Sequence, residues 1–429
     1  MRTPLALALP FAAASLALAA GAPREVAFQK IVLTDQYFCD GINAADIDGD
    51  GHMDAIAGPY WYAGPDFKTR HAFYEPVPQP LEEKPTNSMF SFPYDFNGDG
   101  KVDILVLGRV LFHEAYWYEN PGAAAAKQPE ARWKKHLVSP RVFGEAPLFG
   151  DIDGDGKPEI LSISGISDKE KIKQWGWYKP DWANPTKPWT FVPVTEKAEF
   201  NHYYHGEGYG DIDGDGLNDL VLNEGWWQQP PKGSPAGTLW KKHPFVLSTD
   251  RGGAQILVYD VNGDGKNDIV SAKNAHGWGL SWFEQKREAT TTVVDGKPQT
   301  KHSITFTEHR IMGKPEEKDQ FDGVAFSQPH ALTTADIDGD GVLDVVTGKR
   351  RWAHGPKGDV DPMGTPVNYA FLVRRDKVAP GGAKFQPKLI DDASALGTQV
   401  VSIDVNGDKI PDVLTASKLG AFIFITSRK

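Results

Sequence analysis

The 429-residue chain has one cysteine, Cys39, five methionines, and one extended apolar run, Leu5 to Ala20. A single cysteine excludes an intramolecular disulfide, so a large fold must be cross-linked by other means. The apolar run is shorter than the roughly 20 residues a membrane-crossing helix needs, and no second such run follows it. With Arg2 before it and Ala17-Leu18-Ala19 at its end, it reads as a secretory signal peptide over residues 1–20, the alternative being an amino-terminal core helix. The mature chain is therefore expected in the periplasm or medium and not as an integral membrane protein. There is no nucleophile motif, no phosphate loop and no basic-aromatic groove, which sets aside the corresponding hydrolase, nucleotide and nucleic-acid classes.

What the chain does have is acid in a fixed pattern. Asp336 to Asp344 reads D-x-D-G-D-G-x-x-D, with carboxylates at positions 1, 3, 5 and 9. Alternate carboxylates on a tight turn converge on one hard cation, and the glycines let the backbone turn. An EF-hand would need an acid at position 12 and flanking helices. Here the ninth position closes the set, and β-type residues follow, so this is a calcium turn between strands.

The pattern occurs seven times, with oxygen ligands at Asp46, Asp48, Asp50 and Asp54, and at Asp95, Asn97, Asp99 and Asp103. The third and fourth sets are Asp151, Asp153, Asp155 and Glu159, then Asp211, Asp213, Asp215 and Asp219. The last three are Asp260, Asn262, Asp264 and Asp268, then Asp336, Asp338, Asp340 and Asp344, then Asp404, Asn406, Asp408 and Asp412. In the seventh, Lys409 stands where the others have glycine, which predicts a strained turn and the weakest site. The formal charge of −11 belongs to these turns, which hold 25 of the 57 acids; seven Ca²⁺ would bring it to +3.

After each turn comes a strand, a variable stretch, then an aromatic strand such as Tyr60-Trp61-Tyr62, Tyr116-Trp117-Tyr118 or Trp175 to Tyr178. Fourth strands start on an aromatic or histidine and end β-branched: His71 to Val77, Trp133 to Val138, Trp189 to Val194, Trp240 to Val246, Phe306 to Ile311 and Phe385 to Ile390. The seventh unit lacks one, and Phe28 to Leu33 at the other end of the chain supplies it. Seven units closed by the two termini predict an all-β fold. It is a single seven-bladed β-propeller over residues 24–429, of four-stranded blades with a calcium turn between strands one and two of each.

These units resemble the FG-GAP and VCBS repeats of secreted bacterial proteins and of the integrin α head. A narrower resemblance lies in Tyr204 to Gly208, Gln328 to Ala331 and Thr347 to His354, which are similar to the propeller of aldos-2-ulose dehydratase and its bacterial relatives. That resemblance implies removal of water from keto-sugars; the cupin portion of the fungal enzyme is absent here.

Six residues before each first acid, the chain reaches the channel mouth opposite the calcium turns: Asp40, Met89, Glu145, His205, Ala254, His330 and Thr398. Glu207 lies two residues below His205, and connections on the same face add Arg109, His113, His276, Lys349, Arg350 and His354. Elimination needs a base, an acid and a charge to hold the developing enolate. His205 and His330 can serve as base and acid, or with Asp40 or Glu145 bind Zn²⁺ or another divalent metal. Lys349, Arg350 or His113 would steady the oxyanion. The expected pocket is bounded by His205, Glu207, His276, His330 and Lys349, walled by the insertions 313–329 and 349–366, with Ala254 leaving a hollow for a sugar ring. The reading is a carbohydrate lyase or dehydratase; the alternative is a non-catalytic propeller that binds glycan or protein. His136, His243 and His309 recur at one fourth-strand position and read as packing.

Overall fold

The computed structural model describes residues 22–429 except 82–85, 109–113, 123–131, 165–170, 202, 236, 249–251 and 295–296, with backbone alone at 290 and 292–302. The expected signal peptide lies outside the described residues, as do Arg109 and His113. Among the described residues no helix is long and apolar enough to cross a membrane.

The chain is all-β, arranged as a propeller-like ring of small antiparallel sheets. Among the described residues five are four-stranded, one sheet has eight strands, and a two-stranded ribbon pairs Ile172–Lys173 with Ala198–Glu199. The eight-stranded sheet is itself two four-strand meanders. They are joined edge to edge where Glu207–Gly210 runs parallel to Gln255–Tyr259 for two residue pairs. Glycine makes that join: a Cβ on Gly208 would sit 2.7 Å from the Cβ of Ile256.

The first strands of successive meanders touch in chain order, and Val400–Ile403 touches Ile42–Ala45 to close the ring. Between Phe90–Tyr94 and Phe143–Gly150 the join is aromatic, with Phe92 stacked on Phe149 at 5.0 Å. The apolar cores lie between neighbouring sheets, as where Leu280 and Trp282 pack with Leu332, Val345 and Phe371.

The terminal clasp is present. Val26–Thr34 pairs antiparallel with Gly420–Arg428, from Val26 opposite Arg428 to Val32 opposite Phe422. The expected fourth strands fall within or overlap observed ones. Phe306 to Ile311 lies inside Lys297–Met312, whose long hairpin with Leu280–Val294 fills the widest gap between acidic turns. The recurrent histidines stack face to face on third-strand tryptophans: His71 on Trp61, His136 on Trp117, His243 on Trp226 and His309 on Trp282, at 4.0–4.6 Å.

Every acidic turn is built alike. The ninth-position acid opens the second strand and is buried in all seven. One of its oxygens accepts the backbone N–H of the turn's second residue, from Ile47 onto Asp54 at 2.8 Å to Val405 onto Asp412 at 3.0 Å. In six turns its other oxygen accepts a second backbone N–H, such as that of Val373 onto Asp344 at 2.8 Å. The exception is Glu159, whose extra methylene leaves Oε1 buried without a hydrogen bond. Lys409 adopts φ 69° where the other turns use glycine, and its N–H still reaches Asp404 at 2.7 Å. A non-glycine residue held there costs on the order of 1 kcal/mol.

Lys101 pairs with Asp99 and Lys266 with Asp264 inside their own turns, and in two other turns one cation spans two acids. Arg374 pairs with Asp338 and, at 2.9 Å, with Asp340. Lys179 pairs with Asp153, with Asp155 at 3.0 Å, and lies 4.0 Å from Glu159.

Candidate functional site

Four meanders, two of them halves of the eight-stranded sheet, each send one side chain to a common point on the face away from the acidic turns. Glu145 comes from the first strand of the third meander and His205 from just before the first strand of the fourth. His276 comes from the turn after Asp268–Ala272, and His330 from Pro329–Ala335. Local backbone chemistry sets each one. Gly206 takes φ 92°, and its N–H and that of Glu207 both reach the Ala254 carbonyl at 3.0 Å, turning His205 inward. Any side chain at Gly206 would meet Asn223 at 2.5 Å. The Asn274 side chain accepts the His276 N–H at 2.9 Å. Gln328, fully buried, holds φ 59° just before Pro329-His330, a strained conformation of the kind concentrated at functional sites.

The four side chains meet through their tips. Glu145 Oε2 lies 3.3 Å from His205 Nε2 and 3.2 Å from His330 Nε2, and His276 Nε2 lies 2.9 Å from His205 Nε2. One donor atom from each lies within 4.8 Å of the other three. Metal–nitrogen bonds of about 2.0–2.1 Å at a tetrahedral angle would hold donors about 3.3 Å apart. The spacing therefore fits a divalent transition metal, and three imidazoles with one carboxylate are a borderline donor set suited to one.

The electrostatics agree. Burial would push the Glu145 carboxyl up, but His205, His330 and Arg350 outweigh it and hold it well below the usual range. Burial pulls His276 down to about 4 and, with Arg350, pulls His330 well below its ordinary value. Both imidazoles are thus neutral near pH 7, the form that ligates a metal. Arg350 places Nη1 3.3 Å from Glu145 Oε2, while its Nε and Nη2 are buried without hydrogen bonds.

Asp359 and His354, on the connection between Asp344–Lys349 and Asn368–Arg375, close over this centre. Asp359 Oδ1 lies 2.6 Å from His354 Nδ1 and 3.4 Å from His276 Nδ1, the longer one an ion-pair distance without hydrogen-bond geometry. Asp359 Oδ2 accepts the N–H groups of Ala353 and His354 at 2.6 and 2.9 Å. Burial opposes the charge on Asp359, but the two histidines and the backbone hold its pKa far below the ordinary value. Sequence reasoning had not singled out Asp359; its sole sequence signal is a place in the long charged insertion.

The expected site residues thus divide. His205, His276, His330, Glu145 and Arg350 come together. Glu207 is buried beside them in the chain with both oxygens unpartnered, its pKa raised well above the ordinary value by burial, and stands outside the four-donor group. Asp40 is held elsewhere, accepting the Tyr37 hydroxyl at 2.7 Å and the Thr86 N–H at 3.1 Å. The hollow beside Ala254 is filled: Ala254 packs with Ala146 and Ala275, and the rings of His205, His276 and His330 form a triangle with centroids 4.8–5.6 Å apart. The centre is closed, with His205 4 % exposed and His330 0 %. Open space lies one residue away. A cavity of about 680 Å³ is walled by both insertions, with Trp278, Phe326 and Tyr369 around it and Lys349 at its edge. The Lys349 ammonium donates to Ser327 and to the Asp361 carbonyl, and burial lowers its pKa.

Residues 95–162, one acidic turn through the start of the next unit, match the FG-GAP-like repeat. The chain carries an FG-GAP-like repeat. The chain is also 23 % identical over 346 residues to integrin alpha pat-2 of Caenorhabditis briggsae, covering 72 % of this chain and 25 % of that protein. It thus spans about a quarter of that relative's length. Among solved structures, the V. cholerae biofilm matrix protein Bap1 is similar at 10 % identity and TM-score 0.33, over 80 % of this chain and 88 % of that one. Rhamnogalacturonan lyase YesW is similar at 13 % identity and TM-score 0.39, over 92 % and 75 %.

Proposed function

We propose that the chain is an exported seven-bladed propeller, the eight-stranded sheet counting as two blades. In this reading residues 24–429 form one domain, calcium in the acidic turns stabilises it, and a divalent transition metal binds at Glu145, His205, His276 and His330. Its activity is that of a carbon–oxygen lyase on a sugar or keto-sugar. The observation that carries this reading is the convergence of three Nε2 atoms and one carboxylate oxygen, from four separate meanders, at 2.9–3.3 Å.

A cation held there would supply a Lewis acid to polarise a carbonyl and hold the charge of an enolate if it took the substrate oxygen as a fifth ligand beside its four protein donors. The four ligands do the holding, and Arg350 steadies Glu145. His205 and His330 are then ligands and not the base and acid, because each turns its tip to Glu145. Proton removal falls to Lys349, which lines the neighbouring cavity and whose pKa burial lowers against the opposing pull of Asp361. Trp278 and Tyr369 would seat the sugar ring there.

The test is metal analysis of the purified chain followed by incubation with a panel of keto-sugars, watching for the ultraviolet absorbance of an unsaturated carbonyl product. Metal-dependent product that disappears in Lys349→Met supports the lyase. A metal-loaded chain that gives no unsaturated product overturns it. Burial of the centre favours a second reading in that event: a metal that fastens four blades of a non-catalytic glycan- or protein-binding propeller.

A further inference from the structure

The imidazole of His276 is committed on one edge only. Nε2 belongs to the four-donor group, 2.9 Å from His205 Nε2. Nδ1, on the opposite edge, is buried without a hydrogen-bond partner and points toward Asp359 Oδ1 at 3.4 Å. The side chain as a whole is 8 % exposed, so no bulk water satisfies that nitrogen. A buried ring nitrogen left unpaired is costly, and its orientation needs a cause.

Beside it stands a second donor group. One atom from each of His276, His354 and Asp359 lies within 4.8 Å of the other two, and the His276 and His354 rings are 4.8 Å apart. Asp359 is fixed by its backbone hydrogen bonds through Oδ2, which leaves Oδ1 facing the two imidazoles. Unlike the first centre, this one reaches solvent, because the His354 side chain is 50 % exposed. Two imidazoles and one carboxylate with open positions suit a transition metal and not calcium.

We propose that His276, His354 and Asp359 hold a second divalent transition-metal ion, joined to the first through the imidazole of His276. This rests on reading the Glu145 group as a metal site. Bridging requires His276 to lose its remaining ring proton, which passes to solvent, one proton for each second ion bound. The 2.6 Å contact between His354 and Asp359 must widen to about 3.3 Å, the separation of two donors on one tetrahedral metal. The plain alternative is that Asp359 merely orients His276 from the second sphere, which predicts a single ion.

The experiment uses the full chain, stripped with a chelator and resupplied with calcium, then loaded with Zn²⁺ and desalted before elemental analysis. The expected result is two zinc ions per chain in the wild type and one in His354→Ala, with His354→Gln as a second variant and a melting curve to confirm folding. Loading with Cu²⁺ adds an independent readout. A bridged pair couples magnetically, so the wild-type electron paramagnetic resonance signal should account for less than half the bound copper, and the His354→Ala signal for all of it. One zinc in the wild type overturns the second site and leaves the first standing. Two zinc ions retained in both His354 variants also overturn it. No zinc at all removes both sites together.

Discussion

Deleting the amino-terminal strand should open the ring. Val26 is buried in the core that also holds Val413, Phe422 and Phe424, and Phe28, Ile31 and Leu33 pack against the cores on either side of the clasp. Full burial of Val26 is worth about 1.5–3 kcal/mol, and the three half-buried side chains contribute about 1 kcal/mol each. Lys30 adds an ion pair to Asp391 at 2.9 Å and lies over the Phe422 ring at 4.6 Å. The loss of roughly 5 kcal/mol compares with about 5–15 kcal/mol for the stability of a whole domain. It also bares Gly420–Arg428 as an unpaired, largely apolar edge, which invites aggregation. A chain starting at Thr34 should therefore appear mainly in the insoluble fraction, and any soluble part should unfold at a much lower urea midpoint. A soluble, monomeric product with the full-length midpoint would refute the clasp and the blade count that depends on it.

Chelating calcium should lower the melting temperature substantially, since a site at a hundredfold excess over its Kd contributes about 2.7 kcal/mol; an unchanged curve with calcium shown to be gone would sink the calcium turns. Burial raises Asp54 to about 6, Asp103 to about 7 and Asp344 to about 8, so the folded, calcium-free chain holds these protons more tightly than the unfolded one. Their contribution is complete below about pH 4 and lost as pH rises toward 8. Melting temperature against pH in chelator should show that fall, and calcium should remove it. Arg374→Ala should strengthen calcium binding at Asp336 to Asp344 about tenfold, or about 1.4 kcal/mol, because the guanidinium no longer competes; calorimetry showing no change would mean that the pair yields to calcium without cost. In metal-free protein, Glu145→Ala strands the buried Arg350 and should destabilise by about 3–5 kcal/mol. Adding Arg350→Met should recover much of that loss in urea titrations, and an additive double mutant would deny the pairing.

The repeat was legible in the sequence because each unit repeats its own local chemistry. A nine-residue acidic turn, a β-rich strand and an aromatic strand depend on neighbours a few residues away, so Asp46 and Asp404 announce the same turn. The clasp was legible because the seventh unit is one strand short and Phe28 to Leu33 is one strand over. Placing Glu145, His205 and His330 at one repeat offset also followed from the sequence, since that offset brings equivalent positions to one axis. Tertiary structure alone decided what they do there. Glu145 and His330 lie 185 residues apart and meet because the ring closes, whereas Asp40, at the same offset, is drawn away by Tyr37 and Thr86. Irregular connections have no repeat to fix them, so neither the packing of His276 against both other imidazoles nor the placing of Asp359 beside it could be read from spacing. Lys349 and Arg350 are adjacent in sequence, yet one meets the cavity and the other the buried centre, because successive residues of extended chain face opposite sides.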